Sequence, residues 1–182
     1  MEIKGFERKD AKNFMTKIVA AFPCMGKSHY AKENPNTAID LESSLYMFSR
    51  KGFEHLSVEE FKGIREREPI QNGMVHYLKA ILETCHKGQY DYVFIASFPN
   101  LLKSLTQLGK DVYVVMPYPS MRSQRIYSKR AIIRGNRPQW VEAVIPWLHH
   151  STAYPKELLN KIHVVRVPAS FYLKDVIEHG LI

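Results

Sequence analysis

The sequence predicts a single α/β domain built on a parallel sheet. Short apolar runs alternate with amphipathic segments along the chain, and this alternation is typical of strand–helix–strand units. The chain of 182 residues has the length of one domain and contains no repeat, low-complexity tract or linker that would divide it. We therefore expect one domain over residues 1–182, with helices on both faces of the sheet.

The predicted elements follow from apolar patterning and from helix start and stop signals. Five apolar runs predict strands at residues 17–22, 37–41, 92–97, 112–116 and 162–167. Helices are predicted at residues 26–33, 58–67, 71–86, 101–108, 121–133, 139–149, 155–161 and 173–179. Ser57 and Glu60 form a capping box for the helix at 58–67, and Trp140 and Trp147, seven apart, are expected to pack in the core. The expected buried side of the helix at 71–86 is Val75, Leu78, Leu82 and Cys85.

The composition favours an intracellular protein that handles polyanions. The chain carries 26 Lys and Arg against 18 Asp and Glu, a formal net charge of +8. This charge favours nucleotides or nucleic acid, including DNA, as partners. Cys24 and Cys85 give no disulfide framework, residues 1–10 lack an apolar signal segment, and no apolar run reaches the ~20 residues of a membrane span. We expect a cytoplasmic location and no membrane association.

A phosphate-binding loop is predicted between the first strand and the first helix, with the sequence AFPCMGKS at residues 21–28. In such a loop backbone N–H groups surround the phosphates, a lysine neutralises the β- and γ-phosphates, and a hydroxyl holds Mg²⁺. Lys27 and Ser28 fill the last two places, so ATP and Mg²⁺ are the expected cofactors. Ala21 stands where the motif has glycine and is tolerable if its φ stays negative. The expected nucleotide contacts are Pro23, Cys24, Met25, Gly26, Lys27, Ser28 and His29.

Acidic and hydroxyl side chains follow the second and third strands. Asp40 or Glu42 is expected either to accept the proton of an acceptor hydroxyl or to hold water around Mg²⁺, and Asp40 is expected to join Ser28 at the metal. Ser97 stands where many P-loop ATPases have an acid, which disfavours an ATPase. The expected acceptor contacts are Glu42, Ser43, Ser44 and Ser97.

A basic segment after the fourth strand predicts a lid at about residues 118–137 that closes over the nucleotide. Between Arg122 and Arg137 the segment has no acidic residue. Arg130 and Arg134 are the expected catalytic arginines, because a planar guanidinium fork stabilises charge on the oxygens of a transferring phosphoryl group. The arginines expected to contact the ATP phosphates are Arg122 and Arg125.

The chain resembles the nucleoside and nucleotide kinase branch of the P-loop fold, in particular small (deoxy)nucleotide kinases encoded by phages. The resemblance lies in the loop at 22–28, the acidic-Ser-Ser motif at 40–44, Tyr118-Pro119 with Arg130 and Arg134-Gly135, and residues 171–177. It covers most of the chain from about residue 17 and implies a three-layer fold, five parallel strands in the order 2-3-1-4-5, a helical lid and ATP as donor. A phage-encoded member would act in the host cytoplasm.

Three functions are compatible with these residues. The first is transfer of the ATP γ-phosphate to a (deoxy)nucleoside monophosphate, whose anionic oxygen needs cations but no general base. The second is a nucleic-acid kinase that phosphorylates a DNA hydroxyl, at a 5′ end or on a hydroxymethylated base, with Asp40 as base. The third is a non-catalytic nucleotide-binding protein, favoured by Ala21 and Ser97. We prefer the monophosphate acceptor, because the arginine cluster can hold two sets of phosphates together.

Overall fold

The computed structural model describes residues 16–64, 66–148 and 154–182, and within them five parallel strands form one sheet. The strands are β1 (Lys17–Ala21), β2 (Ala38–Asp40), β3 (Tyr92–Ile95), β4 (Val112–Pro117) and β5 (His163–Val167). Their order across the sheet is β2-β3-β1-β4-β5, which confirms the order that the resemblance implied. Residues 1–10, expected to lack a signal segment, and His149, the last residue of a predicted helix, lie outside the described residues.

The helices connect successive strands and pack against the sheet. They are α1 (Lys27–Glu33), α2 (Ser44–Met47), α3 (Val58–Gly63), α4 (Gly73–Lys87), α5 (Pro99–Gln107), α6 (Met121–Ile133), α7 (Pro138–Val144), a 3-10 helix (Ile145–Leu148), α8 (Lys156–Leu159) and α9 (Leu173–Glu178). α1 contacts α9, whereas α5 contacts both α4 and α8. Right-handed crossovers between parallel strands place these two groups on opposite faces. No helix in the described part of the chain is long and apolar enough to cross a membrane.

β1 lies at the centre of the sheet and positions the loop that follows it. Its Ile18 pairs with Val93 of β3 on one side and with Val112 of β4 on the other. Val19 is fully buried, because a central parallel strand has both faces covered. The carboxyl ends of β1, β2 and β3 therefore meet at one edge of the sheet, where three loops converge.

The helices near this edge are shorter than the sequence predicts. α3 has the predicted capping box, in which the Glu60 N–H donates to Ser57 Oγ at 3.3 Å, but the helix ends at Gly63 rather than at residue 67. The short helix α2 was not predicted from the sequence. Its four residues are too few for a helical period to be recognised.

The predicted buried side of α4 is correct in part. Leu78, Leu82 and Cys85 are half-buried and pack against the core, whereas Val75 is 62% exposed. The fully buried residues of the helix are Gly73, Tyr77 and Ile81. The cause is close packing on α2, since a Cβ atom at Gly73 would lie 2.8 Å from the Tyr46 carbonyl oxygen. That approach turns the Gly73 face inward and leaves Val75 toward solvent.

The prediction that both tryptophans pack in the core is wrong. The segment predicted as one helix consists of α7 and the 3-10 helix, because Pro146 has no N–H to continue the α-helical ladder. The tighter winding of a 3-10 turn changes the direction in which the following side chains point. Trp147 is 42% exposed and Trp140 is half-buried, and both reach the cleft described below.

Candidate functional site

A cleft of about 880 Å³ lies at the carboxyl edge of β1, β2 and β3. The loop after β1 forms one wall, and α3, α6 and α7 contribute to the others. Its charged and hydroxyl lining comprises Lys27, Ser28, Asp40, Glu42, Ser43, Ser44, Glu59, Lys62, Arg67, Ser97, Arg130 and Arg134. Its aromatic lining comprises Phe48, Phe98, Trp140, Trp147 and Tyr172.

The loop between β1 and α1 curls at two left-handed positions. Cys24 has φ 66° and Gly26 has φ 86°. A non-glycine residue in this region costs about 1–2 kcal/mol, so Cys24 holds a conformation that glycine would adopt freely. Ala21 is the last residue of β1 and is not in this region, which meets the condition for its methyl group to be tolerated.

The curled loop leaves a row of backbone donors at the cleft. Among the described residues, no acceptor is hydrogen-bonded to the N–H groups of Gly26, Lys27 or Ser28. The Met25 carbonyl, by contrast, accepts a 2.8 Å bond from the Leu173 N–H at the start of α9. The loop is thus anchored to α9 through Met25. Its free N–H groups belong to residues that line the cleft.

Lys27 lies deep in the loop with its amino group turned back on the strand. Its Nζ donates to the Ala21 carbonyl oxygen at 3.1 Å. Burial lowers the pKa of the Lys27 amino group, and the nearby carboxylates of Asp40 and Glu42 oppose that effect without reversing it. A partly desolvated ammonium group gains strongly from an incoming anion, because the anion replaces the lost hydration.

Ser28 is joined to Asp40 across the cleft floor. The Ser28 Oγ–H donates to Asp40 Oδ2 at 2.6 Å, which connects α1 to the carboxyl end of β2. The two oxygens are hard ligands of the kind that Mg²⁺ prefers. Within residues 16–64, 66–148 and 154–182, no group of three His, Cys, Asp or Glu side chains could hold a metal by itself. A Mg²⁺ ion at this pair would therefore need oxygens from its ligand, as in nucleotide-bound magnesium.

Glu42 is held in an ion pair rather than free. Its Oε2 lies 2.5 Å from Lys62 Nζ, and its Oε1 accepts hydrogen bonds from the Ser44 N–H and hydroxyl at 3.3 and 3.2 Å. Burial alone would raise the pKa of the Glu42 carboxyl, but the Lys62 ammonium and the Ser44 N–H outweigh it, and the pKa is lowered. Glu42 consequently stays ionised and is a weak proton acceptor.

The predicted hydroxyl residues occupy different positions around the cleft. Ser43 precedes α2 and Ser44 begins it, and both line the cleft, although Ser44 is buried against Glu42. Ser97 lines the cleft beyond β3, and its carbonyl oxygen accepts a 3.2 Å bond from the Tyr154 hydroxyl. Ser97 cannot supply a carboxylate to Ser28. In the described part of the chain, the carboxylate bonded to Ser28 belongs to Asp40, at the end of β2, which pairs with β3.

Two of the four predicted arginines line the cleft. The Arg130 guanidinium lies 3.8 Å from the centre of the Tyr172 ring and donates to the Ser170 carbonyl oxygen at 3.0 Å. Arg134 Nη2 lies 3.9 Å from Glu59 Oε2, which connects the end of α6 to α3. Both guanidinium groups line the cleft.

The other two predicted arginines do not line the cleft. Arg122 and Arg125 are exposed on α6 and face away from it, and Arg125 lines a separate surface groove. Arg125 lies about 1.4 helical turns from Arg130 and therefore points to another side of α6. Arg122, three residues before Arg125, lies on the same side as Arg125. His29 borders the cleft, but its side chain is 75% exposed and lies 3.3 Å from Glu33 Oε1.

Several cleft residues were not anticipated from the sequence. Arg67 stacks on Phe48, with its guanidinium carbon 4.1 Å from the ring centre, and makes no ion pair with any described residue. Burial lowers the pKa of the Arg67 guanidinium, although Glu42 opposes the effect. Lys62 was likewise missed. It is one of several polar residues on an amphipathic helix, and nothing in the local sequence indicates that it pairs with Glu42.

The arrangement can bind a phosphorylated ligand and charge-balance it. Lys27 and the residues of the free loop N–H groups line the cleft together with Lys62, Arg67, Arg130 and Arg134, and aromatic rings complete its lining. Comparison with family models gave no match, and comparison with curated proteins gave none.

Proposed function

We propose that this chain is an ATP- and Mg²⁺-dependent kinase that transfers the γ-phosphate to a nucleotide-type acceptor, most directly a (deoxy)nucleoside monophosphate. One observation carries the proposal: the free N–H groups of Gly26 and Lys27, the Lys27 amino group and the Ser28–Asp40 pair all line one end of one cleft. Triphosphate binding requires this combination of donors, a cation and hard oxygens.

On the donor side, each residue has a distinct task. The loop N–H groups would donate to phosphate oxygens, and Lys27 would turn from the Ala21 carbonyl toward the β- and γ-phosphates. Ser28 and Asp40 would hold Mg²⁺, directly or through water, with Asp40 in the place of the acid that Ser97 does not supply. Bound Mg²⁺ supplies charge neutralisation between the β- and γ-phosphate oxygens. Arg130 and Arg134 would stabilise charge on the transferring group.

On the acceptor side, the cations and the state of the carboxylates favour a phosphate over a hydroxyl. Lys62 and Arg67 add positive charge to the part of the cleft beyond Lys27. Asp40 already accepts from Ser28, and Glu42 is paired with Lys62 with a lowered pKa, so neither is poised as a strong base. An acceptor phosphate needs no base, because its oxygen is already ionised.

The aromatic lining of the cleft favours an acceptor that carries a base. Trp140, Trp147 and Phe48 offer flat surfaces on which a nucleobase can stack. The cleft volume of about 880 Å³ falls in the range of small-molecule sites. These features support a nucleotide rather than a small unphosphorylated metabolite.

A DNA hydroxyl is the second candidate acceptor. Asp40 lies in the cleft at the carboxyl end of β2, where it could take a proton once Mg²⁺ and phosphates had displaced the Ser28 hydroxyl from it. The net charge of +8 also suits a DNA substrate. In that case the acceptor would be a 5′ end or a hydroxymethylated base.

Phosphoryl transfer can be measured directly. Purified protein is incubated with γ-labelled ATP and Mg²⁺ against a panel of NMPs, dNMPs, nucleosides, and DNA with normal or hydroxymethylated bases. Label in a nucleoside diphosphate supports the leading proposal. Label retained on DNA replaces it with the second candidate, and ATP binding without transfer to any acceptor would make the chain a non-catalytic nucleotide-binding protein.

A matched pair of lysine variants tests the loop itself. Lys27→Ala should abolish transfer, because it removes the cation that meets the β- and γ-phosphates. Lys32→Ala removes an exposed lysine from the same helix and should leave transfer unchanged. Full activity of Lys27→Ala would overturn the assignment of the loop.

A further inference from the structure

The outward side of α6 carries cations that the proposed reaction does not use. Arg122, Arg125 and Lys129 are exposed, and their spacing of three and four residues brings them to one face of the helix. None of them forms an ion pair with any described residue. They span seven positions, or about 10.5 Å along a helix axis at 1.5 Å per residue.

An apolar groove runs beside these cations. It has a volume of about 770 Å³, and Arg125 and Lys129 lie on its rim. Its apolar lining is Ile132, Ile133, Val141, Ile145 and Pro146. Glu142 is the only acidic residue in this lining as far as the chain is described. A groove with a basic rim and an apolar floor fits a ligand that presents both anionic and flat apolar groups.

The groove and the cleft meet at one residue. Ile133 lines both, and its side chain is 75% exposed. On the cleft side of this junction lie Trp140 and Trp147, and Trp147 directly follows the groove residue Pro146 in the 3-10 helix. An extended ligand on α6 could therefore continue over Ile133 toward the tryptophans that line the cleft.

We propose that the outward face of α6 and its groove bind single-stranded nucleic acid and lead one nucleotide of the strand toward the cleft. Arg122, Arg125 and Lys129 contact the phosphates, and their spread over about 10.5 Å of helix axis lets the face meet more than one of them. The apolar groove contacts unstacked bases. A duplex hides its bases, whereas a single strand carries a phosphate and an exposed flat base in every unit and so fits both features.

This inference goes beyond the proposed kinase function, because binding a strand requires no phosphoryl transfer. If the bound strand is itself phosphorylated, the acceptor is a hydroxyl of the nucleotide that reaches the cleft, which is the second candidate acceptor proposed above. The two proposals can fail separately. A protein that phosphorylates free monophosphates but binds no strand overturns the inference alone. A protein that binds the strand but transfers no phosphate overturns the kinase proposal alone.

Fluorescence anisotropy with a labelled single-stranded oligonucleotide of mixed sequence, measured over a range of salt concentrations, tests the inference. The triple variant Arg122→Gln, Arg125→Gln, Lys129→Gln should bind roughly tenfold or more weakly at low salt. Its plot of log affinity against log salt should be shallower by about two, since each phosphate contact to a single strand contributes a slope of about −0.7. Lys27→Ala should retain strand binding, because the loop is not part of this surface.

The matched control removes the same charge elsewhere. Lys87, Lys103 and Lys110 are exposed and lie away from the groove and the cleft, so replacing all three by Gln should lower affinity far less. Equal losses in the two triple variants would overturn the inference, because net charge alone would then explain binding. Equal binding of poly-glutamate, or tighter binding of a duplex than of the single strand, would also overturn it.

Discussion

The Ser28 hydroxyl donates a 2.6 Å hydrogen bond to the Asp40 carboxylate, which ties the loop after β1 to the end of β2. If this pair holds Mg²⁺, Asp40→Asn should raise the Mg²⁺ concentration needed for half-maximal transfer and lower kcat by less than ~10²-fold at saturating Mg²⁺. The amide keeps an oxygen for Ser28 but loses the charge that attracts the ion. Steady-state kinetics over a Mg²⁺ series measures both effects.

The Asp40 measurement also distinguishes a metal ligand from a general base. A loss of ~10²-fold or more that saturating Mg²⁺ does not relieve would instead identify Asp40 as a general base and favour a hydroxyl acceptor. Asp111→Asn is the control, because Asp111 is 73% exposed and distant from the cleft lining, and its replacement should leave both parameters unchanged.

The Glu42–Lys62 ion pair should stabilise the fold in a pH-dependent way. The pKa of Glu42 is lowered from 4.5, so its contribution is present above pH 4.5 and is lost as the pH falls through the lowered value. Lys62→Met should cost about 1–3 kcal/mol at pH 7, because it leaves a half-buried carboxylate without its charged partner. Burial then raises the Glu42 pKa, and the difference from wild type should shrink as Glu42 is protonated.

Urea unfolding at pH 7 and at a pH below 4.5 checks this expectation. Lys79→Met is a matched control, since Lys79 pairs with Glu83 at 3.8 Å while both side chains are more than half exposed. Such surface pairs contribute only ~0.2–1 kcal/mol. A cost for Lys62→Met that is no larger than the control, or that does not change with pH, would contradict the role given to the pair.

The left-handed φ of Cys24 predicts an unusual order of stabilities among its replacements. Cys24→Gly should be close to neutral, because relief of about 1–2 kcal/mol of strain is partly offset by the greater freedom of glycine in the unfolded chain. Cys24→Val should cost about 1–3 kcal/mol and weaken ATP binding, since a β-branched residue is strongly disfavoured at φ 66°. Urea unfolding and nucleotide titration measure the two effects. A valine variant as stable as wild type would rule out the curled loop.

Trp147→Ala distinguishes a residue of the acceptor site from one of the core. An exposed tryptophan that stacks on the acceptor base should cost less than ~1 kcal/mol in unfolding free energy but raise the acceptor KM about tenfold or more, with the KM for ATP unchanged. Trp147→Phe should retain most of the affinity. A loss of ~3–5 kcal/mol in stability with an unchanged acceptor KM would place the ring in the core.

The sheet and the position of the curled loop after β1 could be predicted because their signals are local. The apolar run at 17–22 requires only a strand covered on both faces, and the predicted bounds of α6, 121–133, match the observed helix because Ser120 caps its start and Arg134 follows its end. The capping box at Ser57 likewise depends on residues three apart. The strand order came from the resemblance rather than from any local pattern.

The rest of the cleft depends on tertiary contacts that no local pattern encodes. Tyr77 is fully buried, and its hydroxyl donates to the Leu41 carbonyl oxygen at 2.7 Å and accepts from the Ala96 N–H at 2.9 Å. Those two groups directly follow β2 and β3, so Tyr77 holds the ends of the two strands together. Tyr77 belongs to α4, and the side of α4 predicted to be buried did not include it. Arg67 and Lys62 acquire their roles in the same way, through neighbours distant in sequence.

The Leu173 N–H donates to the Met25 carbonyl oxygen, so the curled loop after β1 is held by a residue near the end of the chain. The loop can therefore reach its final conformation only after α9 has been synthesised. Residues 21–28 leave the ribosome early, but the backbone group that holds them from behind belongs to α9, and both strands that flank β1 also follow the loop in sequence. Contacts of such high sequence separation form late in folding. We expect a nascent chain whose α9 is still inside the ribosome to be unable to retain ATP. Nucleotide binding would begin only after Leu173 has emerged and bonded to Met25.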